Sequence, residues 1–227
     1  MTAEAELPSA VLFDMDGTLV DTEHLWLDAE REVMAGLGAT WHDEDQVMCL
    51  GGPLERVTAY MRERAATDLT QEEIGDLLMA GMEHRLLSEP PEWRPGARDL
   101  LAECRRRDLP TALVSASWQR LISAVAGRIE SDLGYHPFTT VVSGDQVRNS
   151  KPHPEPYQTA AARLGAPVHA CLALEDSPTG IVSARDAGCR VVAVPQLAEV
   201  GHLGTATLAS LEGWDIPSLW AHAEPAC

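Results

Sequence analysis

The chain has 227 residues, enough for one large domain or for one domain carrying a substantial insertion. Hydrophobic residues make up 45% and charged residues 23%, the usage of a globular protein rather than a disordered or fibrous one. Asp and Glu number 35 against 17 Lys and Arg, a net charge of −18 that repels nucleic-acid backbones and anionic lipid surfaces.

The first nine residues, MTAEAELPS, are polar and acidic, without the basic start and apolar run of a signal peptide. A first strand is expected at 10–13. From about residue 22 to 93 only helical patterns follow. Leu25, Ala29, Val33 and Leu37 recur at fours, and further helices are expected over 54–65 and 71–87. This segment ends in the proline-rich SEPPEWRPG. Leu100, Leu101 and Cys104 then mark a helix that Pro110 forbids from continuing. Strands are expected at 111–114, 139–142, 171–174 and 190–194. These are short apolar runs of the kind buried on both faces of a parallel sheet. Ser177 and Pro178 supply an N-cap and a first-turn proline, and Gly188 closes that helix. The 201–227 tail, with Trp214 and Trp220, is expected to pack on the core.

This alternation predicts an α/β fold: a doubly wound parallel sheet with an inserted all-α domain. The expected division is a core of residues 1–22 and 95–227 and a helical cap of 23–94. An insertion directly after the first strand sits where ligands bind in such folds, which suggests a lid. The arginines 105–107 read as a solvated helix end that favours the negative pole of the dipole. Cys49, Cys104, Cys171, Cys189 and Cys227 are odd in number and form no C-x-x-C pair, so they read as reduced thiols of a cytoplasmic protein. No stretch is long and apolar enough to span a bilayer. Nucleic acid and membrane are therefore not expected as partners.

Polar clusters follow four of the expected strands, each at the carboxyl end. They are Asp14, Asp16, Gly17 and Thr18; Ser115, Ala116 and Ser117; Lys151; and Glu175 with Asp176. In a parallel sheet these ends lie side by side, so the clusters converge on one crevice. Four carboxylates there would repel one another, and a hard divalent cation with oxygen ligands, Mg2+, resolves the repulsion. Mg2+, a lysine, a serine hydroxyl and backbone N–H groups suit a phosphoryl group. One carboxylate can act as nucleophile through an acyl phosphate, and a second, two residues on, can protonate the leaving oxygen and then activate water. Lys151 is the only lysine in the chain, and a compact ammonium is not replaced by a planar guanidinium. Taken singly, the Asp-x-Asp-Gly-Thr run also reads as an Asx turn, and Glu175-Asp176-Ser177-Pro178 also reads as a helix cap.

At these residues the chain resembles the haloacid dehalogenase-like hydrolase superfamily. Phe13-Asp14-Met15-Asp16-Gly17-Thr18-Leu19 is similar to its first motif and Val114-Ser115-Ala116-Ser117 to its second. Ser150-Lys151-Pro152 with Pro154, Pro156 and Tyr157 is similar to its third, and Leu174-Glu175-Asp176-Ser177 with Gly180 and Gly188 to its fourth. The helical insertion resembles the cap of the branch that holds β-phosphoglucomutase and sugar-phosphate phosphatases. The resemblance implies that Asp14 is the nucleophile and a Mg2+ ligand. It implies that Asp16 is the general acid/base, with its backbone carbonyl on the metal. Asp176 would bind Mg2+, with Glu175 nearby or in support. Ser115, the Ala116 N–H and Lys151 would hold the phosphate, with Thr18 added to the substrate-binding set.

Dehalogenases lack the second aspartate of the first motif, so Asp16 argues for phosphate esters. A mutase must clamp a second phosphate. Trp118, Leu54 and Trp26 stand where that clamp and a cap histidine would be, although Arg56 is near enough to restore a charge. A phosphatase of small phosphorylated metabolites, above all sugar phosphates, is therefore expected, with a β-phosphoglucomutase-type enzyme and a non-catalytic phosphometabolite-binding module as the alternatives. Glu23, His24, Trp26, Gly51, Gly52, Trp118 and Gln119 are the specificity candidates, and Glu23 and Gln119 are placed in the substrate-binding set. A tryptophan at helical spacing also reads as core, and a lone histidine as a surface residue. His153 is assigned nothing. The expected assembly is a monomer or a weak homodimer.

Overall fold

The computed structural model describes residues 6–49, 54–196, 200, 203 and 206–223. Gly51, Gly52 and Cys227 lie outside the described residues. The chain falls into two compact units, Met1–Asp21 with Pro91–Cys227, and Thr22–Pro90.

In the first unit the described residues form a six-stranded parallel sheet in the order β3-β2-β1-β4-β5-β6. The strands are β1 (Ala10–Phe13), β2 (Thr111–Val114), β3 (Thr140–Val142), β4 (Cys171–Glu175), β5 (Arg190–Ala193) and β6 (Ala206–Thr207). Every residue of β1, β2 and β4 is buried, as a sheet covered on both faces requires. The pleat sends Ala10, Leu12, Ala112, Val114, Cys171 and Ala173 to one face. There they meet Tyr157, Ala160 and Ala161 of α7 (Glu155–Leu164) and Ile181 and Ala184 of α8 (Pro178–Ala187). Small alanines on both sides let these helices lie close to the strands.

α8 starts as its sequence requires: the Ser177 hydroxyl accepts the Gly180 N–H, Pro178 occupies the first turn, and Gly188 ends the helix at φ +99°. The remaining helices of this unit are α5 (Ala97–Arg106), α6 (Gln119–Leu133) and α9 (Ile216–His222). The expected packing of the tail is seen in α9. Glu103 of α5 accepts the Ile216 N–H at 3.0 Å, and the Arg190 guanidinium lies 3.9 Å from the Trp220 ring centroid.

The second unit is all-helical among its described residues: α1 (Glu23–Gly36), α2 (Asp43–Cys49), α3 (Leu54–Ala65) and α4 (Gln71–Ser88). A capping box starts α4, with Thr70 accepting the Glu73 N–H and Glu73 accepting the Thr70 N–H at 2.8 Å. Two features depart from the sequence reading. α2 was not expected, because DEDQVMC has no apolar repeat and leaves Val47 and Met48 exposed. β6 was not expected either, since two residues carry no period. Among the described residues no helix is long and apolar enough to cross a membrane.

Candidate active site

The chain path reverses between β1 and β4: β2 and β3 lie on one side of this pair, β5 and β6 on the other. The crevice beyond the carboxyl ends of two such strands is where open parallel sheets bind ligands. Register brings the clusters level there. Phe13 pairs with both Leu113 and Leu174, so Asp14 emerges beside Glu175, and its N–H donates to the Leu174 carbonyl at 3.0 Å.

Lys151 enters from the loop that precedes α7. Its Nζ donates to Asp14 Oδ1 at 2.6 Å, to Glu175 Oε1 at 2.6 Å and to the Val114 carbonyl at 2.9 Å. All three ammonium hydrogens are thereby committed within the protein. Burial works against the charge on Lys151, but Asp14 and Glu175 outweigh it and hold the group above the usual lysine range. Asp14 is pushed well above the ordinary carboxylate range by burial and by Glu175 and Asp176, against the pull of Lys151. Asp176 is pushed up to about 7, first by burial and then by Glu175. One ammonium does not balance these carboxylates.

Asp14, Glu175 and Asp176 each offer an oxygen, and the three atoms lie within 4.8 Å of one another. The donor set is oxygen only, and the crowded charge needs a cation, so these residues fit Mg2+. A glycine makes room for the set. Gly17 has φ +82°, and a Cβ there would collide with Asp176 Oδ2 and stand 2.8 Å from Gln196 Oε1. The Asp16 carboxylate stands outside this group of three and accepts the Ser117 hydroxyl at 3.2 Å.

The loop after β2 is shaped from below. Ser115 is buried, and its Oγ accepts the Ser117 N–H at 3.0 Å, which leaves its own O–H to donate. Gly144 donates its N–H to the Ser117 carbonyl at 2.9 Å, and a Cβ at 144 would collide with the Ala116 carbonyl. Ala116 itself is exposed.

The other candidates are placed differently. Thr18 is buried, and among the described residues its hydroxyl has no hydrogen-bond partner. Gln119 begins α6 with its amide committed: Nε2 donates to Ser123 at 2.9 Å and Oε1 accepts Gln146 at 2.7 Å. Glu23 belongs to the helical unit, where it accepts Gln46 Nε2 at 3.1 Å. In the same unit His24 is exposed, Trp26 half-buried, and Arg56 donates to the Cys49 carbonyl. Trp118 is 48% exposed, so the core alternative is corrected for that residue: it stands at the N-terminal boundary of α6, without a side-chain capping bond, rather than filling an apolar face. His153 Nδ1 accepts the Glu155 N–H, a loop contact.

Several residues around the site escaped the sequence reading. The Val114 carbonyl, Gly144 and Gln196 act through contacts between distant segments, and no local pattern marks them. Gln196 Nε2 donates to Asp21 Oδ2 at 2.6 Å.

Known proteins resemble this chain in sequence and in fold. The family model of the haloacid dehalogenase-like hydrolases matches residues 11–194. Protein CbbY of Rhodobacter capsulatus is 31% identical over 224 residues, 96% of each chain. Hexitol phosphatase B of Escherichia coli is 32% identical over 189 residues, 82% of this chain and 83% of that one. A crystal structure of CbbY from Rhodobacter sphaeroides in complex with xylulose-(1,5)bisphosphate superposes with a TM-score of 0.78 at 27% identity, covering 94% of this chain and 99% of that one. With the sheet order, the carboxylate cluster and these similarities together, the chain belongs to the haloacid dehalogenase-like hydrolases, as a phosphatase of that family.

Proposed function

We propose that this enzyme hydrolyses phosphate monoesters of small metabolites, sugar phosphates above all, with Mg2+ and through a phosphoaspartate on Asp14. The observation that carries the reading is the set of Asp14, Glu175 and Asp176 at the carboxyl ends of β1 and β4, the first two buried and joined by Lys151. When bound, Mg2+ would supply the positive charge that the three carboxylates lack and would orient a phosphoryl group.

The chain's own residues divide the remaining work. Lys151 fixes the Asp14 carboxylate through Oδ1. An Asp14 oxygen forms a bond to phosphorus as the ester P–O bond breaks, and Asp16 gives its proton to the leaving oxygen. Asp16 then takes a proton from the water that attacks phosphorus, which releases phosphate and restores Asp14. Ser117 orients Asp16 for both transfers. The free O–H of Ser115 and the Ala116 N–H are assigned to phosphoryl oxygens. Lys151 would contact the phosphate only by releasing one of its three acceptors, so its role is to hold and balance Asp14.

The sugar-phosphate class is supported by the hexitol phosphatase and by the xylulose bisphosphate bound to CbbY. The helical unit Thr22–Pro90, inserted after β1, is the proposed cap that selects the leaving group, with Glu23, His24 and Trp26 as its first candidates. Trp118 is the candidate from the core. Gln119 would first have to release Ser123 or Gln146.

Phosphate release with Mg2+ over a panel of sugar, polyol and nucleoside phosphates tests this, with Asp14→Asn protein as the blank. Release confined to sugar or polyol esters, and abolished by EDTA and in the blank, is expected. Conversion of β-glucose 1-phosphate to the 6-phosphate without net release would establish a mutase instead.

A further inference from the structure

Tyr157 is the largest fully buried side chain among the described residues and sits on α7, facing the sheet. Its ring belongs to the apolar cluster of Ala112, Val114, Ala160 and Ala173. Packing explains the ring, and phenylalanine would pack as well. Packing does not explain the hydroxyl, which donates to Glu175 Oε1 at 2.6 Å, the same oxygen that accepts Lys151 Nζ at 2.6 Å. The ring centroid lies 5.2 Å from that ammonium. A phenol is protonated at neutral pH, so the hydroxyl is the donor in this bond.

Among the described residues Glu175 has no other strong donor. It is 0% exposed, its Oε2 takes only the longer bonds from Ser177 N–H and Oγ at 3.4 and 3.3 Å, and Gly180 is bare of a Cβ that would collide with both oxygens. Oε1 is therefore shared between two strong donors, and Lys151 shares its own bonds between Oε1 and Asp14 Oδ1. Without the hydroxyl, Oε1 would keep Lys151 as its one strong donor. The ammonium would then be drawn toward Glu175 and away from Asp14.

We propose that Tyr157 is a positioning residue: through Glu175 it sets how firmly Lys151 holds Asp14. The chain of contacts runs Tyr157 hydroxyl, Glu175 Oε1, Lys151 Nζ, Asp14 Oδ1, and it is buried throughout. The catalytic part of this proposal rests on the phosphatase reading of the site.

The sequence supplies a direct probe. Lys151 is the only lysine, so protein grown with lysine labelled with 15N at Nζ reports this site alone. Tyr157→Phe is expected to move the 15Nζ resonance and to hasten exchange of the ammonium protons. kcat should fall about tenfold with KM within about twofold, the size expected from loosening one charge-assisted hydrogen bond. Glu175→Gln, which breaks the chain one link later, should also move the resonance, and adding Tyr157→Phe to it should change kcat no further. An unmoved resonance in folded Tyr157→Phe protein overturns the proposal, whether or not kcat falls. So does a moved resonance with kcat unchanged. A resonance that moves in protein whose wild type releases phosphate from no ester would sink the phosphatase reading and leave the contact chain standing.

Discussion

Lys151 shows how narrowly a side chain can be specified. Three acceptors converge on one nitrogen at 2.6 to 2.9 Å in a pocket that leaves the side chain 3% exposed. A guanidinium spreads its donors over a plane several ångströms wide and cannot place three of them at one point. Lys151→Arg is therefore expected to lower kcat by about 100-fold or more, measured as initial phosphate release under saturating ester. Gly180 carries the opposite constraint. Any Cβ there would collide with the Glu175 carboxylate, which Tyr157 and Lys151 hold in place and which cannot swing aside. Gly180→Ala should cost about 2 kcal/mol, read from the urea midpoint, even though alanine is the better helix former. These two residues were not equally legible. Asp14, Asp16, Lys151 and Asp176 stand out in the sequence because phosphoryl chemistry tolerates few residue types at strand ends. The need for glycine at 180 comes from a carboxylate five residues away that turns back under α8, and the need for a hydroxyl at 157 comes from that same carboxylate. Both positions fall within the runs that resemble the family motifs, but the reason for each is a contact that the sequence does not display.

Strands and helices were readable where burial imposes a period. β1 and β2 fall where the apolar runs fall, and α3 coincides with its amphipathic repeat. β3 starts one residue later than the run and β5 ends one residue earlier, because pairing rather than hydropathy sets their ends. α2 and β6 show no period and were invisible. α1 hides a different feature on its inward face. Glu30 is buried and accepts Trp41 Nε1 at 3.0 Å. Burial, with a smaller push from Glu23 and against the Trp41 bond, raises its carboxyl from the ordinary 4.5 to about 7. Between those two pH values the folded chain binds a proton that the unfolded chain has lost, so stability is full below about 4.5 and falls as pH rises toward about 7. The loss should reach about 2 kcal/mol, and Glu30→Gln should abolish this slope. Urea midpoints of the two proteins at intervals from about pH 4 to about pH 8, a range that brackets 4.5 and about 7, check the sign: the glutamine variant should gain on the wild type as pH rises. Parallel curves would show that Glu30 ionises at its ordinary pH.

The whole molecule carries a charge of −18, and the carboxylates of Asp14, Glu175 and Asp176 crowd together where a substrate phosphate, itself an anion, is proposed to bind. Two kinds of cation effect can relieve that charge, and they are separable. Monovalent salt screens the surface field generally, so it should raise the melting temperature gradually and without saturation. A divalent ion held by Asp14, Glu175 and Asp176 acts by mass action on the folded state alone. At about 100 times its dissociation constant it should add about 2.7 kcal/mol, a shift of roughly 5 to 10 °C for a chain of this size. Asp176→Asn distinguishes them by sign. Without Mg2+ the variant should melt no lower than the wild type, since it removes one of three mutually repelling carboxylates. With Mg2+ it should gain little, because a ligand has gone, while its response to sodium chloride stays that of the wild type. Calorimetric scans of both proteins against Mg2+ and against sodium chloride at matched ionic strength read all four limbs. A wild type that responds alike to the two salts would show that the three carboxylates bind no divalent ion, and the charge argument for the site would fall with it.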